Sequence, residues 1–489
     1  MVQPALRNRF FILSARCYRL VIAGAVLIVA SRVPAPGPTS AISPTEIRYE
    51  VVASKNAADL QIEAELPAGL GSTLAVDPVA GPFIDSLFQY RSGQWIAVTG
   101  GQPGWRASGC ARSGCRVRYV FHLRAAAEAI DDPDTAAVRG TALVAPASTW
   151  LLRPEPLPDG VLRGRVHVTV PDPLAFVTGL PRVAGVASTY AVALLPFFVS
   201  PYSAFGRFDV ERLSIGGADI QLAVAAPSLT EDRARIRAWT TAAARAIAAY
   251  FDRFPVEQAL VLAVPQRSGM HGKALGGGGA TVLLQIAPGM DLRDPAVDWQ
   301  AAHEMVHLAV PEMSRAQIWL TEGLATYVEP LARTMTGELR AESVWMDLVR
   351  GLPKGLPGPD DQGLDRTHTW GRTYWGGALF ALLADLEIRK ATNGQRSLAT
   401  ALQGVLQQGG DARVFWSVER FMSACDRAVG KPILTDLYHR MAARPVAVDL
   451  DGLWHELGIV VSNDRITFDD HAPLAAIRRR MIGPATVTP

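Results

Sequence analysis

Near Leu213 the hydrophobic period of the chain changes, and that change limits the folds open to it. Before it, apolar residues alternate. Ile47-Arg48-Tyr49-Glu50-Val51, Leu60-Gln61-Ile62-Glu63-Ala64, Arg116-Val117-Arg118-Tyr119-Val120 and Arg165-Val166-His167-Val168-Thr169-Val170 each put every second side chain on one face. Gly, Pro, Asn and Asp punctuate these runs. The pattern predicts an all-β sandwich domain over residues 42–212, in which His122 and His167 are structural. After Leu213 the period lengthens. One or two strands come first, then Thr230 caps a helix to about Phe251 with Ile236, Ala243, Ile247 and Tyr250 near one face. A strand follows over Ala259 to Val264, and helices dominate to about Ala443. The chain therefore reads as multidomain α+β, with a second domain over 213–445 and a tail over 446–489 that ends in Arg478-Arg479-Arg480.

The second domain carries His303-Glu304-Met305-Val306-His307. Histidines four apart on a helix share a face, so both imidazoles reach one metal ion and Glu304 faces the water that the ion activates. The chain has 9 His in 489 residues. At that composition the pattern arises by chance at a level of about one per cent. A catalytic zinc takes three protein ligands and keeps one position open. Glu322 is the candidate for the third. It follows His307 after 14 residues, beyond a helix break at Pro311, on a second helix indicated by the apolar spacing of Trp319 to Glu329. The competing reading is an incidental His pair on an envelope protein, in which Glu322 points away.

The segment Trp319-Leu320-Thr321-Glu322-Gly323-Leu324-Ala325-Thr326-Tyr327 resembles the W-L-x-E-G-x-A-[ST]-Y context of the gluzincin metallopeptidases, which pair it with H-E-x-x-H. Within them the chain is similar first to the glycyl aminopeptidase family and next to the aminopeptidase N family, over residues 230 to 410. The run from Tyr374 to Arg389 looks like the helix that carries those families' catalytic tyrosine, here Tyr374. The resemblance implies a thermolysin-like catalytic domain, a mixed β lobe before a helical lobe. It further implies one Zn2+ per chain on His303, His307 and Glu322, and hydrolysis of peptide bonds. Glu304 then acts as general base and proton donor to the leaving amine. The Tyr374 phenol supports the developing oxyanion, a contribution worth roughly 3–4 kcal/mol where such donors have been removed. An inactive peptidase-like protein that binds peptides or partners is the alternative; its signature is loss of Glu304 or a ligand.

In the gluzincins an edge strand ahead of the metal helix binds substrate by strand addition. The glycines Gly276, Gly277, Gly278 and Gly279 precede the apolar run Thr281-Val282-Leu283-Leu284-Gln285-Ile286 and are read as that substrate edge, with a flexible loop as the plain alternative. No Asp or Glu lies between Glu257 and Asp291, where the aminopeptidase N family holds a substrate's free amino terminus. Exopeptidase and endopeptidase action both stay open. The loop from Pro353 to Asp365 could rim a cleft, and His368 is read as a surface residue.

A net charge of +2 with scattered basic residues gives no reason to expect nucleic acid, and a hydrophobic content of 49% suffices for a large core. Residues 1–41 read as a signal peptide or N-terminal anchor. Arg7, Arg9, Arg16 and Arg19 precede an apolar run of 11 residues, Leu20 to Ala30, followed by small-residue sites. That run is shorter than the ~20 residues of a spanning helix. The expectation is an exported protein, periplasmic or extracellular, with membrane anchoring through this segment left open and a peptide or protein as substrate. In that setting Cys110 and Cys115 could close a small disulfide loop, and Cys425 reads as a buried thiol. The uncharged stretch from Val183 to Gly206 contains Pro196 and Pro201 and reads as buried strand and loop at the seam between domains. The tail is too short for the PDZ module that the glycyl aminopeptidase family often carries.

Overall fold

The alternating runs before Leu213 build sheets. The computed structural model describes residues 46–101, 104–157, 162–194 and 200–482. The leader expected over residues 1–41 lies outside them, as does Pro196. A seven-stranded sheet has the spatial order Thr189–Leu194, Leu162–Thr169, Glu46–Ala53, Leu60–Leu66, Cys115–Phe121, Ile84–Arg91, Gln94–Ala97. Ile47, Tyr49 and Val51 point inward while Arg48 and Glu50 point out, as period two requires. Two four-stranded sheets share its hydrophobic core, which contains Leu74, Trp105, Leu143, Trp150 and Phe205. The region is not purely β: Leu123–Ile130 is a helix. Cys110 and Cys115 are disulfide-bonded, and Cys425 is a buried free thiol. Where described, the 183–206 stretch is strand and loop, and its residues 184–188 are exposed rather than buried. Thr189–Leu194 pairs with Leu162–Thr169, and Ser203–Gly206 pairs with Ala142–Val144 and Ala175–Thr178. Among the described residues no helix is long and apolar enough to cross a membrane.

A five-stranded mixed sheet follows, in the order Phe208–Ile215, Ala218–Ala225, Gln258–Pro265, Thr281–Ile286, Met270–Leu275. Three central strands are parallel, and Met270–Leu275 closes one edge antiparallel to Thr281–Ile286. The runs Ala259 to Val264 and Thr281 to Ile286 are almost continuously apolar because this sheet is covered on both faces. Ile220, Leu222, Val224, Val261, Val282 and Leu284 face the helices. Ala223, Ala225, Leu260, Leu262, Val264 and Leu283 pack against Ala142, Val144, Val177, Tyr202 and Ala204 from the preceding region. The whole is a mixed α+β, multi-sheet fold.

Two sequence expectations need correction here. The first long helix spans Arg233–Phe251 with Asp232 at its cap position; Thr230 lies outside it and donates to Asp209 at 3.2 Å. Residues 446–482 are not a loose tail. Helix Leu450–Leu457, the hairpin Ile459–Ser462/Arg465–Phe468 and helix Ala475–Met481 place Trp454, Leu457, Ile459, Ile466 and Met481 in the main core. Arg478 is no solvated charge. It is buried and donates to the carbonyls of Leu457, Gly458 and Asp469.

Candidate metal and catalytic centre

Helix Gln300–His307 turns Ala301, Ala302, Met305 and Val306 into the core, which leaves His303 and His307 together on another side. The second helix, Ile318–Met335, brings Glu322 to them. The Oε2 atom of Glu322 lies 3.3 Å from Nε2 of His303 and 3.6 Å from Nε2 of His307. All three ligand atoms lie within 4.8 Å of one another. A tetrahedral ion with bonds of about 2.1 Å sets its ligand atoms about 3.4 Å apart. Two imidazole nitrogens and a carboxylate at this spacing fit one such ion. Without an ion, burial would lower the His307 pKa, but the charge and hydrogen bond of Glu322, then Glu304 and Glu312, raise it to about 9. Burial pushes the Glu322 carboxyl up, yet His307 and His303 hold it well below the ordinary range. In the metal-free fold the carboxylate is thus held as an anion by the imidazoles beside it.

Glycine and arginine fix the two helices. A Cβ on Gly323 would lie 2.2 Å from the backbone of Gly377, and one on Gly377 would lie 2.0 Å from the Trp319 carbonyl oxygen. The Glu322 helix and helix Gly377–Ala391 therefore meet backbone to backbone. Trp319 is fully buried and donates through its indole to Asp365 at 2.7 Å; Tyr438 donates to the same carboxylate at 2.6 Å. Arg333, also buried, donates to Glu329 on its own helix at 2.9 Å and to Asp298 at 2.6 Å. Asp298 lies just before the His-pair helix, so Arg333 ties that helix to the one that carries Glu322.

Tyr374 sits in one turn of π-helix, Arg372–Gly376, immediately before helix Gly377–Ala391. Such turns often shape functional sites because they re-aim a side chain. The Tyr374 ring stacks near His303 at 6.4 Å between centroids. Burial first, then the Glu322 and Glu304 carboxylates and a hydrogen bond with Glu322, hold its phenol protonated well above the usual range. The turn is braced from below: Arg372 forms a buried ion pair with Asp361 at 2.6 Å and donates to the Gly355 carbonyl. The loop expected as a cleft rim thus contributes buried support for the Tyr374 turn. Composition alone marks it only as a loop. His368 is exposed.

The glycine run is placed differently from the sequence reading. Gly276, Gly277, Gly278 and Gly279 form the turn between two strands, with Gly277 and Gly278 at φ +79° and +86°. The backbone that approaches them is the protein's own. Gly277 and Gly278 donate to the carbonyls of Ala412 and Arg413, and a Cβ on Gly279 would meet the Gly179 carbonyl at 2.3 Å. The free sheet edge lies a few residues earlier, at Met270–Leu275, beside the His-pair helix. There the Ala274 N–H donates to Glu304 Oε2 at 2.8 Å. Glu312, which the motif reading did not single out, adds a carboxylate near His307. Burial raises its pKa, while His307, a Gly276 hydrogen bond and Lys273 pull it down.

No protein-family model and no curated protein matches this sequence. Solved structures do match its fold. An aminopeptidase N family protein from Idiomarina loihiensis superposes with a TM-score of 0.64 at 14% identity, covering 85% of this chain and 79% of its own. A mutant of a two-domain M1 zinc metallopeptidase bound to L-arginine gives a TM-score of 0.48 at 15% identity, covering 83% and 95%. The first of these establishes a likeness of fold with an aminopeptidase N family protein.

Proposed function

We propose that this chain is a zinc-dependent peptidase of the gluzincin type, and that it hydrolyses peptide bonds with Glu304 as general base. The observation that carries this reading is the convergence of His303, His307 and Glu322, with Glu304 on the same helix and Tyr374 beside Glu322. The three ligands would hold one Zn2+ per chain. Zinc, when bound, supplies acidification of a ligating water toward pKa about 7 and polarisation of the scissile carbonyl. Glu304 takes the proton of the attacking water and returns it to the leaving amine. Tyr374, kept protonated by its surroundings, donates a hydrogen bond to the oxyanion. An extended peptide would add to the edge Met270–Leu275 as a further strand. The fold likeness supports the aminopeptidase N level of this assignment. The glycyl aminopeptidase affinity rests on the sequence motifs alone.

We further propose that the protein is exported, to the periplasm or outside the cell, with residues 1–41 as its signal or anchor. The Cys110–Cys115 disulfide supports this, since such bonds persist in oxidising compartments.

Purified protein is expected to bind about one zinc per chain. Glu304→Gln should keep the metal and lose hydrolysis of short peptides; wild-type turnover in that variant would remove the mechanism. Paired assays on peptides with free and blocked amino termini then separate exopeptidase from endopeptidase action.

A further inference from the structure

The edge strand holds Glu304 from two sides. Gly272 faces its stem: a Cβ at this position would lie 2.7 Å from Glu304 Cγ, 3.0 Å from Oε1 and 3.2 Å from Cδ. Gly272 is paired with Leu284 in a regular antiparallel ladder, so the strand itself does not call for glycine. What the position requires is the missing side chain. Two residues on, Ala274 aims its N–H at Glu304 Oε2, 2.8 Å away, rather than at the neighbouring strand. Lys273, between them, is fixed by an ion pair to Asp134 of the preceding β region. The strand is thereby anchored on one side and shaped around a carboxylate on the other.

We propose that Gly272 and the Ala274 N–H are positioning elements for Glu304, setting where its carboxylate stands for proton transfer. The proposal rests on the peptidase reading above. In that reading one strand does two things: it accepts the substrate backbone and it aims the base. Gly272 provides the space and Ala274 the directional hold. A methyl group at 272 must displace the Glu304 stem, because the atom it meets is close to the rigid helix rather than at a flexible tip.

Displacing a catalytic group by about 1 Å costs on the order of 10²-fold in rate. Gly272→Ala is therefore expected to lower kcat about 100-fold, with KM and zinc per chain little changed. In a Glu304→Gln background the same substitution should add no further loss, since the group it misplaces no longer works. A general weakening of the strand would instead multiply through both backgrounds and lower zinc content. A second measurement does not depend on activity or on Gly272→Ala folding. In Glu304→Ala, amide hydrogen exchange should rise at Ala274 and stay unchanged at Lys273 and Leu275. Normal kcat in Gly272→Ala, equal losses in both backgrounds, or unaltered exchange at Ala274 would each overturn the proposal. Wild-type protein that neither binds zinc nor hydrolyses peptides would instead sink the peptidase reading, and the exchange measurement would still test the seat.

Discussion

Across the candidate site, the ligand side and the sheet edge face each other with different kinds of support. On the ligand side, Gly323 and Gly377 bring two helices into backbone contact, and the buried Arg333 joins a partly exposed Asp298 to Glu329. On the other side, Met270–Leu275 has one neighbouring strand. Its ties are the Ala274–Glu304 hydrogen bond and a Lys273–Asp134 pair whose side chains are 42% and 36% exposed. To hold the proposed ion, that side would have to keep three donor atoms about 3.4 Å apart, which is a demand on rigidity. An edge that is to accept another strand cannot be covered, which limits how firmly it can be held.

The comparison breaks first at Arg333. Arg333→Ala leaves three carboxylates, Asp298, Glu329 and Glu338, without their cation, and removal of one partner of a buried pair costs about 3–5 kcal/mol. Thermal melts should show a large drop; an unchanged melting temperature would mean that the ligand helices hold without this clamp. Tyr374→Phe comes next. It is expected to lower kcat by about 10²–10³, or roughly 3–4 kcal/mol, at unchanged zinc content. Turnover equal to wild type would take Tyr374 out of the mechanism.

A pH dependence follows from His307. Its pKa in the metal-free fold is raised from 6.5 to about 9, so the native state binds more protons than the unfolded state between those values. Its contribution to stability is complete below pH 6.5 and is lost as pH rises through 9. Melts of chelator-treated protein across that window should show the decline. Zinc uptake should release a proton over the same range, which calorimetry in buffers of different ionisation enthalpy reads directly. The smallest effect belongs to the edge. Lys273→Ala removes a half-exposed pair and should change stability by less than about 1 kcal/mol. A loss as large as that of Arg333→Ala would erase the contrast between the two sides.

The cluster of His303, His307 and Glu322 was legible because its geometry is local: His303 and His307 are one helical turn apart, and Glu322 lies in a motif with few alternatives. The helix break at Pro311 and the second helix were likewise visible in residue type and spacing. The sheet edge was not. Gly276 to Gly279 look like a place where a backbone approaches, and one does, but Ala412, Arg413 and Gly179 come from far along the chain. Gly272 stands alone in an ordinary strand, and only the position of Glu304 explains it. The C-terminal segment was misread for a similar reason. Leu450, Trp454 and Leu457 have helical spacing, but the segment was read only as a tail. The burial of Arg478 depends on three carbonyls that no local pattern reveals.

The central five-stranded sheet has a consequence for how this chain can be divided. Its second face is closed by Ala142, Val144, Val177, Tyr202 and Ala204. A fragment starting near Phe208 would present a bare aliphatic wall to water and invite association with other copies of itself. The upstream sheets are thus not a detachable accessory to the chemistry, and recombination or truncation at this junction should yield insoluble material rather than a smaller working unit.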